Sequence, residues 1–474
     1  MDKQDLYSTI DSCAPLLTDV SDKIWEYAEC SMQEHRSTQL YVSVLKEQGF
    51  TVQENLCGIK TAFSGTFGSG KPVIGILGEY DALSGLSQEA NITKKQPRPG
   101  CDNGHGCGHN LLGAASLGAA IAIKNSIEAG ILHGTVIYFG CPGEEGCAGK
   151  TFMARAGLFA DLDAALCWHP GDVNEVTTGT CAATLQYEYT FTGLSAHAAG
   201  DPENGRSALD AVELMNIGAQ FLREHVGKKA AIHYAITNAG GISPNVVQAN
   251  AKVLYMVREA TVSKAKEILN RLHKIAEGAA MMTETSVSWQ QIDGTSNTVS
   301  NTVMEKVLFE NMQNAPLPAY SEDDWDFASN IKATYAANRL PGQKTEEVPK
   351  LKKLVAELSQ GGSKAINDFL IPYIPSNDFE PGSTDVGDVS WLTPTAQFTA
   401  VTWPSGSPGH SWQNVSAGKH PVAVKGMLYA AKVLAGTAAD IMESSSILTE
   451  IKQEFSEIAG GYDCPLEDSL PIPE

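Results

Sequence analysis

Gly134-Thr-Val-Ile-Tyr-Phe-Gly-Cys-Pro-Gly-Glu-Glu-Gly146 passes from a short apolar run straight into a pair of carboxylates held between glycines. The run has the length and β-branched, aromatic content of a buried strand. A solvated acidic turn is the plain reading of the pair, but the end of a buried strand is a poor place for casual surface charge. The layout recurs nearby. Pro72-Val-Ile-Gly-Ile-Leu77 leads into Gly78-Glu-Tyr-Asp-Ala-Leu83, and Asp163-Ala-Ala-Leu-Cys-Trp168 leads into His169-Pro170. In open α/β sheets ligands bind just beyond the carboxyl ends of strands, so three such ends predict one common site. A fourth motif, Gly104-His-Gly-Cys-Gly-His-Asn110, opens a predicted helix that reaches about Glu128 and faces the same edge.

Outward from these strands, residues 38–48 read as a helix stopped by Gly49. Helix alternating with strand predicts an α/β fold with a mostly parallel sheet. From about residue 184 the pattern changes. Thr184-Leu-Gln-Tyr-Glu-Tyr-Thr-Phe191 alternates as a half-exposed antiparallel strand does. A helix capped by Ser207, alternating runs at 231–237 and 251–258, and a helix from about Ser263 to Ala280 complete a strand–helix–strand–strand–helix–strand unit. The expected organisation is a larger domain, 1–185 and 296–474, interrupted by a smaller inserted α+β domain, 186–295. The charged stretch 321–365 reads as surface helix and loop, and 84–104 as a surface loop.

The bulk numbers agree. At 474 residues the chain exceeds what one core usually serves. A net charge of -21 disfavours nucleic acid and anionic membranes as partners. The amino terminus lacks the pattern of a signal peptide, and the longest apolar stretch, Leu111 to Ile123, is shorter than a membrane span. Ten irregularly spaced cysteines suit a reducing cytoplasm rather than a disulfide scaffold.

Cys107 and His109, two apart with Gly108 between them, can turn to one metal ion. Glu144 and Glu145 can divide two tasks, one ligating metal and the other taking a proton from bound water. His169 alone would read as a satisfied core histidine, and His410, in Pro408-Gly-His-Ser-Trp412, as an ordinary loop residue. Together these residues favour metal chemistry.

The segments Gly78-Glu-Tyr-Asp-Ala-Leu-Ser-Gly-Leu-Ser87, Gly104-His-Gly-Cys-Gly-His-Asn-Leu-Leu-Gly113 and Gly409-His-Ser-Trp-Gln413, in this order, resemble the aminoacylase, hippurate hydrolase and glutamate carboxypeptidase family of dinuclear metallohydrolases. The resemblance implies Cys107, His109, Glu145, His169 and His410 as metal ligands and Glu144 as catalytic base. It implies His197 as a lid histidine near the scissile carbonyl, Asn245 as a substrate contact, Arg258 as the holder of a substrate carboxylate, and Asp81 as an acid supporting the site from behind. Arg206 is a weaker second cation. Five such ligands exceed one tetrahedral site, so two divalent ions, zinc or manganese, are expected. The implied substrate is a small acyl-amino acid or dipeptide, with p-aminobenzoyl-glutamate foremost. The implied assembly is a homodimer, with room for a related second subunit. The other histidines, His105 among them, are read as structural or solvent-facing. Two competing classes are a metal-binding or redox protein built on Cys101, Cys107, Cys141 and Cys147, and a non-catalytic metal-binding subunit. Neither needs Glu144.

Overall fold

In the computed structural model, which describes residues 2–336 and 339–473, the first strands are β1 (Thr51–Glu54), β2 (Phe63–Ser69), β3 (Val73–Gly78), β4 (Gly134–Gly140), β5 (Ala164–Leu166), β6 (His169–Gly171) and β7 (Glu175–Val176). Beyond them lie β8 (Ala183–Thr192), β9 (Ala231–Asn238), β10 (Asn250–Glu259), β11 (Ser286–Thr295), β12 (Thr395–Ala396) and β13 (Phe398–Val401).

The apolar runs around β3, β4 and β5 form the middle of a sheet ordered β1-β2-β4-β3-β5-β12. Its β4-β3-β5-β12 portion is parallel, and β1 and β2 add on antiparallel. Ile74, Ile76, Val136 and Tyr138 are fully buried, as strands covered on both faces require. The covering helices Lys3–Tyr27, His109–Glu128 and Pro421–Glu443 share one core with this sheet. Small residues bring the second of these close: a Cβ at Gly113 would lie 2.6 Å from the Glu79 carbonyl oxygen. The chain thus has the expected α/β architecture. Pro421–Glu443 is long and apolar enough to cross a membrane, but its most apolar stretch is 83% buried inside the protein. A core helix explains its composition.

Residues 183–295 make a separate antiparallel sheet, ordered β11-β8-β10-β9, with the helices Ala208–Arg223 and Val262–Thr283 packed on one face around their own core. Ser207 caps the first helix by accepting from the Asp210 N–H, as expected. Along β10, Ala251, Val253, Tyr255 and Val257 are buried in that core, while Lys252, Leu254, Met256 and Arg258 face the other way. β9 is a sheet edge carrying half-exposed Tyr234 and Ile236.

Some elements differ from the sequence reading. The run 163–168 does not flow into His169 as one strand: β5 stops at Leu166, and His169 starts β6, which pairs in parallel with β13 in a small sheet β6-β13-β7. The long helix Lys3–Tyr27, with Pro15 inside it, and strands β1 and β2 had no clear signal. Stretch 84–104 is a loop, folded on itself by Ser87, Gln88, Gln96 and Arg98 and fastened to Ser416. Near the carboxyl end, Glu467 bridges the two sheets. Its N–H donates to Gln291 and its carboxylate accepts from Tyr187, both on the second sheet. Its carbonyl accepts from Arg155, which follows β4 of the first.

Candidate active site

The carboxyl ends of β3 and β4, the start of β6 and two turns deliver the chemistry. Gly108, in the left-handed region at φ +76°, turns the chain between Cys107 and the helix that begins at His109. A Cβ there would lie 2.9 Å from Pro170 and 3.1 Å from Trp403, so glycine is required on both counts. His410 also adopts a left-handed conformation, at φ 49°, uncommon for a residue with a side chain and typical of positions held for function.

Donor atoms of Cys107, His109 and His169 lie within 4.8 Å of one another, and those of Cys107, Glu145 and His410 form a second such group. The two triads share Cys107. Glu79, His109 and Glu144 make a third grouping, which sets Glu144 beside the first triad. Cys107 Sγ is 3.3 Å from His169 Nε2, and His410 Nε2 is 3.3 Å from Glu145 Oε1. The far side of each histidine in the first triad is engaged. His169 Nδ1 lies 2.7 Å from the Pro170 carbonyl oxygen, and His109 Nδ1 lies 2.8 Å from Asp81 Oδ1. A ring N–H donated to an outer acceptor fixes the tautomer and turns the other nitrogen toward a metal. His109 Nε2 and Glu145 Oε1 are buried and make no hydrogen bond of good geometry, only the longer contacts to Glu79 and His410, an environment suited to ligating a cation. Thiolate, imidazole and carboxylate donors fit divalent transition metals.

Asp81 braces this centre. Its carboxylate accepts from the Ser31 hydroxyl at 2.8 Å and the Glu145 N–H at 2.9 Å as well as from His109. Burial opposes its ionisation, but these donors outweigh burial and hold it down to about 2. Burial likewise opposes the Cys107 thiolate, and the His169 and His109 rings overcome it, bringing the thiol down to about 6. Glu144 stands at the wall of a cavity of about 270 Å³. Burial first, then the Glu79 and Asp385 carboxylates, push it well above the usual carboxylate range.

That cavity is lined by Glu144, Glu145 and His410 on the metal side and by Thr184, Met256, Arg258 and Asp293 of the second sheet, with Gly382 to Asp385 joining them. Arg258 forms no pair with Glu259, whose side chain turns back to the Ala260 N–H. Arg206 is taken up by Glu284 at 2.6 Å. His197 and Asn245 are brought to each other, through the His197–Val246 bridge and an Ala198 N–H to Asn245 carbonyl bond of 3.0 Å. Both are outside the cavity lining, on two accessible loops, the one after β8 and the one between β9 and β10. His105 is a buried structural histidine bonded to the Ile24 carbonyl at 3.0 Å. Among the described residues all ten cysteines are free, and no metal-ligating group joins two of them, which removes support from the four-cysteine alternative.

Sequence reasoning missed a buried charge cluster. Lys150 is fully buried, with Nζ 2.7 Å from Glu79 Oε1 and paired also with Asp385. Glu79 Oε2 is 3.2 Å from His109 Nε2. The faint signal was a lysine set among small and apolar neighbours, Ala148-Gly-Lys-Thr-Phe152.

The family model described as Peptidase family M20/M25/M40 matches residues 75–366. The chain is 42% identical to one of the subunits of the p-aminobenzoyl-glutamate hydrolase of Escherichia coli, over 98% of each chain. It is 26% identical to a Xaa-Arg dipeptidase of Mus musculus, over 94% of this chain and 90% of that one. A solved Bacillus subtilis protein, described as a dinuclear metal binding peptidase from the M20 family, superposes with a TM-score of 0.57 at 16% identity, covering 91% of this chain and 99% of that one.

Proposed function

The chain belongs to Peptidase family M20/M25/M40, and from that premise we propose that it is an amidohydrolase that cleaves p-aminobenzoyl-glutamate to p-aminobenzoate and glutamate. Two ligand triads sharing Cys107 carry the proposal, together with the 42% identity to a hydrolase of that name. Cys107, His109 and His169 would hold one divalent ion and Cys107, Glu145 and His410 a second, zinc or manganese. Bound there, such ions supply Lewis acidity and bring a water's pKa toward ~7.

Glu144, beside the ligands and open to the cavity, takes the proton of the attacking water and returns it to the leaving amine. His197 stabilises the developing oxyanion and Asn245 contacts substrate. From their accessible loops both must be brought to the cavity, by closure of the 186–295 unit as a lid over the 1–185 and 296–474 catalytic domain or by a second copy. Arg258 holds the glutamate carboxylate by a charge-assisted hydrogen bond, the local cation that a chain of net charge -21 needs for an anionic substrate. Supporting assembly, the β9 edge with Tyr234 and Ile236 suits pairing into a homodimer, and the relative's designation as one subunit of a hydrolase leaves a place for a second, related chain. Ten free cysteines suit a reducing compartment such as the cytoplasm.

The test is hydrolysis by metal-reconstituted protein of a panel spanning p-aminobenzoyl-glutamate, other acyl-amino acids and Xaa-Arg dipeptides, read as free amine. The highest kcat/KM is expected on the aroyl-glutamate. Preference for a dipeptide would replace the substrate and keep the chemistry, and a wholly inactive, metal-loaded protein would favour a non-catalytic role within a larger assembly.

A further inference from the structure

Arg258 is not held by its own sheet alone. Its Nη1 donates to Ser383 Oγ at 2.9 Å. Ser383 belongs to Gly382-Ser-Thr-Asp385, the part of the cavity wall contributed from beyond the second sheet. This wall is fastened at both ends. At one, the Gly382 carbonyl accepts from the Ala182 N–H at 2.8 Å, immediately before β8. At the other, fully buried Asp385 accepts from the Lys150 backbone N–H at 2.9 Å and pairs with the Lys150 ammonium. Lys150 leads directly into the metal side, since Nζ also lies 2.7 Å from Glu79, which reaches His109. A continuous line of contacts and short chain steps therefore joins a metal ligand to the guanidinium: His109, Glu79, Lys150, Asp385, Ser383, Arg258.

A buried lysine is costly unless it is paired, and this one is paired twice. Neutralising two acids would explain its presence but not why one of those acids lies two residues after the serine that holds Arg258. We infer that Lys150, Asp385 and Ser383 are positioning residues for substrate recognition. They set the separation between the Arg258 guanidinium and the metal ligands, so the distance from scissile amide to substrate carboxylate is gauged by a wall anchored on the first sheet. The inference rests on the reading of Arg258 as the carboxylate holder.

The experiment is a double-mutant cycle on p-aminobenzoyl-glutamate and its uncharged diamide, with metal content measured for each variant. Ser383→Ala is expected to raise KM for the acyl-glutamate ~3- to 10-fold, the scale of one hydrogen bond, while kcat moves less than about twofold and metal content is kept. In an Arg258→Ala background the same change should add nothing. Asp385→Asn should raise KM for the acyl-glutamate more than for the diamide while also changing kcat on both, because its carboxylate acts on Glu144, and Lys150→Arg should retain more of the wild-type KM than Lys150→Met. If Lys150→Met fails to fold, the Ser383 and Asp385 variants carry the decision. Additive effects of Ser383→Ala and Arg258→Ala, or equal losses on charged and uncharged substrates, would overturn the positioning role. Arg258→Ala without a selective effect on the charged substrate would overturn the reading of Arg258, and the positioning role with it.

Discussion

The metal side of the cavity and the loop bearing His197 are held in opposite ways. Three of the metal-side groups are braced from behind: His109 by Asp81, His169 by the Pro170 carbonyl, and the Glu145 N–H by Asp81 again. His197 is exposed, and its Nδ1 accepts only from the N–H groups of Ala199 and Gly200 in its own turn. A braced cluster costs little reorganisation when charge develops. An exposed loop can travel to a substrate. Under the proposed function, the contrast would divide the work between a fixed side that does chemistry and a side that must arrive.

The largest effects should come from the fixed side. Chelation should abolish activity, and elemental analysis should find two transition-metal ions per active chain; activity without them would dissolve the contrast. Glu144→Gln should keep both ions and lower kcat by roughly 10²–10⁴-fold, the usual worth of a general base. Near-normal turnover would point to a different base. Asp81→Asn should weaken metal binding by about 10–100-fold in competition with a chelator, the typical cost of losing an outer-shell partner. Asn245→Ala, on the travelling side, should alter KM and leave metal affinity alone. In metal-free protein the ultraviolet absorbance of the Cys107 thiolate, isolated by difference from Cys107→Ser, should appear with a midpoint of about 6. His169 and His109 favour the thiolate, so the signal should fade as pH drops through that value. The smallest effect concerns stability: Ile236→Lys on the β9 edge should shift light scattering from dimer to monomer while changing monomer stability by no more than about 0.5 kcal/mol. A wild-type monomer at micromolar concentration would remove the edge from the picture.

The two sides also differed in legibility. Cys107 sits in a glycine-rich turn and His169 starts β6, so their roles as candidate ligands came from resemblance. Glu144 and Glu145 stood out because β4, a buried strand, runs into carboxylates that break its apolar pattern, and the pattern is local. The α+β unit could be read for the same reason, alternation at β8 and β10 being visible within ten residues. Lys150 and Asp385 could not be paired from sequence, since they lie 235 residues apart and a lone lysine reads as surface. The helix Lys3–Tyr27 escaped because its burial comes from partners at 109–128 and 421–443, and Pro15 argued against it. The roles of His197 and Asn245 came from resemblance, and their exposed loops are where local pattern says least.

The attachment made by Glu467 has a mechanical consequence. The 183–295 unit is already joined to the rest by two chain crossings that lie side by side, where the Cys181 N–H donates to Thr298 Oγ1 at 2.9 Å and Thr184 meets Thr295 at 2.8 Å. Two neighbouring crossings leave a body free to swing like a door on one edge. Tyr187, Gln291 and Arg155, all gripping Glu467, add, beside the Arg258–Ser383 bond, a further fastening that works as a door chain. Any swing wide enough to exchange a large substrate must first slip it.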